Sequence, residues 1–214
     1  MIRVFTSIFA FTLALTGATA KFPTIVYKFN PTDAAGVGGS ITVQYTASTV
    51  ANIDAKLDFS QVDKKKIASL DASCKTHSVK SYNWHLHTGW MSSKSSASFK
   101  ECSKMMTGNH FDPDKACGPA SQHIAQPDCK KKSESYECTP FKYKSNQKSC
   151  EAGDLSGKFG AFLPGSDDKV SAKWTDHHFM PLSETSKHKL SIVLHAVCGK
   201  ESPRFACAMG SKQN

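Results

Sequence analysis

His85 and His87 stand one residue apart in the run Tyr82-Asn83-Trp84-His85-Leu86-His87-Thr88-Gly89-Trp90. A β-strand sends alternate side chains to one face, so a strand here offers two imidazoles to one metal ion. Tyr82, Trp84 and Trp90 favour the strand, and a rigid sheet holds paired ligands without help from loops. Taken alone, such a pair also reads as two polar residues on the solvated face of a half-buried strand. Two further histidines sit in marked contexts: His110 in Thr107-Gly108-Asn109-His110-Phe111-Asp112-Pro113, and His195 closing the apolar run Leu190-Ser191-Ile192-Val193-Leu194. A histidine ending a buried strand is often only a satisfied core residue.

The elements that must position these histidines read as all-β. Helical periodicity is nearly absent, and short segments rich in Val, Ile, Tyr, Phe and Thr recur between turn signals. The candidate strands are Thr24 to Phe29, Gly39 to Tyr45, Ile53 to Phe59, Ser81 to His87, Lys158 to Phe162, Ser171 to Thr175 and Leu190 to Leu194. Short strands at this spacing imply a sandwich or barrel. Between Asp112 and Cys150 the alternation stops, and Cys117, Cys129, Cys138 and Cys150 sit among Lys130, Lys131, Lys132, Ser133 and Ser135. This is read as an insertion, residues 114–149, stapled by its own disulfides, because a structureless loop of that length does not suit a compact domain.

Residues 1–20 carry the pattern of a secretory signal: Arg3, an apolar stretch from Ile8 to Leu15, and Ala18-Thr19-Ala20 at the cleavage site. The expected mature chain begins at Lys21 and forms one domain over 21–214. No later stretch approaches the roughly 18 apolar residues of a membrane span, and no hydrophobic tail for a glycolipid anchor follows Met209. All eight cysteines lie beyond the signal, and an even number in a secreted chain argues for disulfides rather than thiolate metal ligation. No acceptor sequon for N-glycosylation is present. Without Arg3, 26 basic side chains face 18 acidic ones, enough to draw a small anion. Lysine dominates, Arg204 is the sole arginine beyond the signal, and the basic residues are scattered, so nucleic-acid binding is not expected.

Five motifs follow one another in order: His-x-His; Gly-x-His-Phe-Asp-Pro; Cys-Glu-Ala-Gly-Asp-Leu-Ser-Gly-Lys; Ser-Ile-Val-Leu-His-Ala; and Pro-Arg-Phe-Ala-Cys. At these residues the chain resembles the Cu/Zn superoxide dismutase family, most closely its secreted copper-only branch from fungi and oomycetes. The resemblance spans roughly Lys80 to Gly210; the 114–149 insertion has no counterpart in the basic family pattern. It implies a Greek-key β-barrel or sandwich of about eight strands. It also implies copper ligation by His85, His87, His110 and His195. Four imidazoles suit Cu(II) in tetragonal geometry, and neutral nitrogen ligands are tolerable to both redox states of copper.

Zinc is where the chain departs from the Cu/Zn pattern. Asp154 matches the zinc aspartate, but Glu151 stands where a zinc histidine belongs, and His123 lies too far past His110 for the other. Zinc is therefore not expected. In the copper-only branch a glutamate similar to Glu151 steadies the bridging histidine, and a carboxylate on the second ring nitrogen of His110 fixes its tautomer. Arg204 matches the family's anion-guiding arginine, and the resemblance makes Cys102 to Cys207 the subloop disulfide. Of the remaining cysteines, Cys74 with Cys198 and two bridges inside the insertion is the simplest pairing. Only eight residues separate His195 from Arg204, so the long electrostatic loop of Cu/Zn enzymes is missing and an open copper site is expected.

The implied activity is extracellular conversion of superoxide to oxygen and hydrogen peroxide, with Arg204, His110 and Glu151 as the working residues and no protein partner required. His77, His123, His177, His178 and His188 have no place in that scheme and read as surface polar residues. The alternatives are a secreted copper-binding or surface-interaction protein that keeps the fold without turnover, and a basic adhesion module using the insertion. A copper monooxygenase with an N-terminal histidine brace is disfavoured because the expected mature terminus is Lys21.

Overall fold

In the computed structural model, residues 22–187 and 189–213 are described. The expected signal, the expected new terminus at Lys21 and His188 lie outside them. Eight strands make up one sheet system: β1 (Thr24–Phe29), β2 (Gly38–Tyr45), β3 (Ala51–Asp58), β4 (Tyr82–His87), β5 (Ser96–Ser98), β6 (Lys169–Asp176), β7 (Ser191–Ala196) and β8 (Arg204–Gln213). They are ordered β4-β7-β8-β1-β2-β3-β6, with β5 on β8. All pairings are antiparallel. The protein is all-β, and the non-sequential neighbours β3 with β6, β4 with β7 and β1 with β8 are the crossovers a Greek key requires.

The alternating burial of β1, β2 and β3 follows their sequence: Ile41, Val43 and Tyr45 point inward while Ser40, Thr42 and Gln44 remain partly exposed. β4 and β7 differ. β7 is buried at every residue, and β4 at all but Asn83. Trp84 and Leu86 enter the main core, and the opposite face, bearing His85 and His87, is covered rather than solvated.

The strand path ends at β4 and β6, and the gap between them is bridged by the segment after Asp154. Trp84 N–H donates to Ser156 Oγ at 2.6 Å, its indole N–H donates to Gly160 O at 3.0 Å, and its ring stacks on Phe162 at 4.6 Å. This corrects one expectation. Residues 158–162 are not a strand: Leu155–Phe159 is a short helix, capped by the Asp154 carboxylate on Gly157 N–H at 2.8 Å and ended by Gly160 at φ +88°. Only Phe162 pairs, with Tyr82. β5 and β8 were not among the candidate strands. β5 is three residues long, and β8 is built largely of small residues, so neither carries a clear period-2 signal.

The four disulfides are Cys74–Cys198, Cys102–Cys207, Cys117–Cys129 and Cys138–Cys150. Cys117–Cys129 closes a loop inside the insertion and Cys138–Cys150 ties it to the residue just after it; the insertion folds into the helices Pro127–Ser133 and Pro140–Ser145. Among the described residues no helix is long and apolar enough to cross a membrane.

Candidate metal centre

β4 presents His85 and His87, and β7, its neighbour, presents His195 opposite Asn83. His110 comes from the connection before the insertion and pairs with His87 across an isolated bridge. Its backbone is held on both sides, His110 N–H donating to Ala120 O at 2.8 Å and His110 O accepting from Gln122 N–H at 3.1 Å. Asp112 shapes that turn: its carboxylate accepts from the N–H groups of Ala116 and Cys117 and from Ser121 Oγ, at 2.7–2.8 Å. The insertion thus builds the shelf on which His110 stands.

All four histidines are buried, and one nitrogen of each converges so that these atoms lie within 4.8 Å of one another. His85 and His110 stack at 4.1 Å, and His85 and His195 meet edge-on at 4.7 Å. The remaining ring nitrogens show how each imidazole is aimed. His87 Nδ1 meets Gly108 O at 3.1 Å, His195 Nδ1 meets Ser202 O at 2.9 Å, and His110 Nδ1 meets Glu151 Oε2 at 2.6 Å. A carbonyl or carboxylate only accepts, so each of these nitrogens carries a proton, and in the neutral ring the lone pair sits on Nε2. His85 is reversed: its Nε2 lies 3.6 Å from Asp154 Oδ1, an electrostatic rather than a hydrogen-bonding distance.

Three buried nitrogens, His85 Nδ1, His87 Nε2 and His195 Nε2, have no hydrogen-bond partner among the described residues. Three orphaned lone pairs in one place are costly unless an electron-pair acceptor satisfies them, so this donor set fits a metal ion. Burial, reinforced by the neighbouring imidazoles and Arg204, holds His85 and His87 well below the ordinary histidine value. Burial and His110 push His195 down to about 3. All three are thus neutral and ready to ligate. Burial pushes the Glu151 carboxyl up, while its hydrogen bond to His110 pulls the other way.

Arg204 opens β8 opposite His195, at a register shift between Leu194 and His195. Its guanidinium donates to Thr107 Oγ1 and to Gly108 O, both at 3.0 Å, which fixes it beside the centre. Cys102–Cys207 ties the segment carrying Thr107 and Gly108 to the same strand. Asp154 is placed by its role as helix cap and by Tyr136, whose hydroxyl donates to Asp154 Oδ2 at 2.8 Å.

Of the other histidines, His178 departs from expectation. It is largely buried, with Nε2 2.6 Å from Asp114 Oδ2, because the turn after β6 folds it back against the start of the insertion. Sequence reasoning missed Tyr136, whose only signal was an aromatic residue in an otherwise polar, cysteine-rich stretch. It also missed Lys158. That ammonium is fully buried and satisfied by Asp176 Oδ2, Ala152 O and His178 O at 2.8–2.9 Å.

No protein-family model and no curated protein sequence matches the chain. Solved structures do. Superoxide dismutase 5 of Candida albicans, solved with Cu(II), aligns at a TM-score of 0.54 and 19% identity over 90% of this chain and 94% of that one. A Glu→Gln variant of the same protein aligns at 0.53 and 18% identity, over 90% and 93% of the two chains. An Asp→Asn variant gives 0.52 and 18% over the same shares. The chain therefore has the fold of a superoxide dismutase, with four histidines gathered where they can hold a metal ion.

Proposed function

We propose that this chain is a secreted, copper-dependent superoxide dismutase that works without zinc, its mature chain forming one domain over residues 21–214. The observation that carries the reading is the set of orphaned nitrogens on His85, His87 and His195, to which His110 adds Nε2. Four imidazoles match copper, and the fold is shared with a superoxide dismutase solved with Cu(II). Bound copper would supply a one-electron carrier, accepting an electron from one superoxide and returning it to a second.

The residues do the rest. Carbonyls behind His87 and His195 lock those rings so that their lone pairs do not wander. His110 can take up a proton at Nε2 and give it to the product, because Glu151 holds Nδ1 and keeps the ring in register throughout. Arg204, tethered to Thr107 and Gly108, attracts and orients the anion. The glutamate also argues against zinc: at 2.6 Å it engages the nitrogen a second metal would need. The other candidate cluster, Asp112 with Cys117 and Cys129, has its sulfurs tied in a disulfide. Four disulfides suit an oxidising extracellular setting.

The deciding experiment measures metal content and superoxide dismutation on one copper-loaded, oxidised sample, before and after zinc is offered. One copper per chain, no zinc and fast turnover is the expected result. Copper without turnover would favour the binding-protein alternative, and stoichiometric zinc would overturn the zinc-free reading.

A further inference from the structure

We propose that Tyr136, inside the 114–149 insertion, is a positioning residue for the metal centre, acting on two of its histidines through one hydroxyl. The inference rests on the proposed function for its purpose, and on geometry for its substance. The phenol oxygen has one proton and two lone pairs to spend. It donates to Asp154 Oδ2 at 2.8 Å and accepts from Glu151 N–H at 3.1 Å. Asp154 presents its other oxygen to His85 Nε2 at 3.6 Å, and Glu151 presents Oε2 to His110 Nδ1 at 2.6 Å. The rear nitrogens of two of the four histidines therefore lean on carboxylates that share a single tether.

The Glu151 backbone is held between two bonds, its N–H donating to the Tyr136 hydroxyl at 3.1 Å and its carbonyl accepting from Asp154 N–H at 3.1 Å. The second carboxylate oxygen of Glu151, Oε1, is buried without a hydrogen-bond partner among the described residues. The carboxyl rests against Gly118, where an added Cβ would come 2.5 Å from Glu151 Oε1 and 2.9 Å from the edge of the Tyr136 ring. Burial and the two carboxylates push the Tyr136 hydroxyl far above its ordinary value, so it remains a donor. The Cys138–Cys150 disulfide staples the chain two residues after Tyr136 and one before Glu151. On this view the insertion serves the metal centre: it delivers a phenol that holds the Asp154 carboxylate directly and the Glu151 carboxylate through its backbone, as outer partners orient ligands at metal sites generally.

The test compares Tyr136→Phe with Tyr143→Phe. Tyr143 is the insertion's other phenol, bonded to Asp176 and not to either carboxylate. The first readout needs no copper: the His110 Nδ1–H resonance of the metal-free protein, shifted downfield by its short bond to Glu151. In Tyr136→Phe this resonance is expected to move upfield and exchange with water at least about tenfold faster, and Cu(II) affinity to fall about tenfold with an altered copper hyperfine splitting. Tyr143→Phe should leave all four unchanged whatever stability it loses. Should Tyr136→Phe not fold, 3-fluorotyrosine incorporated into the otherwise wild-type chain, which makes the phenol a stronger donor and a weaker acceptor, must shift the same resonance. An unmoved resonance with unchanged copper affinity, or equal changes in Tyr143→Phe, overturns the proposal. Wild-type protein that binds copper without dismutation would instead defeat the proposed function, whatever the resonance does.

Discussion

His87 and Arg204 donate to the same oxygen: Gly108 O lies 3.1 Å from His87 Nδ1 and 3.0 Å from Arg204 Nη1. One carbonyl thus sets both the angle of an imidazole and the seat of the guanidinium that would guide an anion to it. Gly108 has to be glycine for this, since φ is +72° and a Cβ would fall 2.2 Å from Thr88 Oγ1.

Arg204→Met removes the charge proposed to guide the anion but leaves Gly108 O to His87. Copper content should stay at the wild-type level, while kcat/KM for superoxide drops about tenfold or more and loses much of its dependence on salt. Pulse-radiolysis rates at two ionic strengths would check it, and an unchanged rate with unchanged salt dependence would remove Arg204 from the scheme.

The four-histidine cluster should make the folded state a better copper binder than the unfolded chain. At free copper 100-fold above the dissociation constant, loading is expected to add about 2.7 kcal/mol of stability. His195→Ala should abolish most of that gain in thermal unfolding, because it deletes one of the orphaned nitrogens.

Lys158 and Asp176 form a pair with no exposure of either side chain. Asp176 Oδ1 also accepts from Tyr143 at 2.7 Å and from His178 N–H at 2.8 Å, so the network joins the short helix, the end of β6 and the insertion. Lys158→Met strands a buried carboxylate and should cost about 3–5 kcal/mol in urea unfolding, and replacing Asp176 as well with Leu should recover much of the loss.

All five tyrosines of the chain are shifted upward, with burial as the leading cause in each: Tyr82 is pushed up to about 12, and Tyr27, Tyr45, Tyr136 and Tyr143 further. The unfolded chain ionises near its ordinary value of about 10, so it sheds protons first as pH rises. The stability these groups contribute is complete below pH 10 and is lost as pH climbs through their folded values. Phenolate absorbance should show no titration near 10 in the folded protein, then a steep rise coincident with unfolding. A normal titration by any tyrosine would contradict this packing.

Much of this molecule is legible in its sequence wherever a local rule suffices. Alternation marks β1 to β3 and β6, because one face of each is wet. A period of two places His85 and His87 on one side of β4. An even set of cysteines in a chain with a signal-like start already implied cross-links, and the two that staple the insertion follow from their crowding. Local rules fail at Leu155–Phe159, too short for helical periodicity and decided by its Asp154 cap, and at β8, whose small residues are strand only because β7, β1 and β5 flank them. The shared carbonyl of Gly108, the double tether of Tyr136 and the buried ammonium of Lys158 join residues 15 to 96 positions apart. Residue types and spacing determined which groups could do chemistry. Only the tertiary structure decided which nitrogen of each imidazole faces the centre, because that choice belongs to whatever acceptor the fold brings behind the ring.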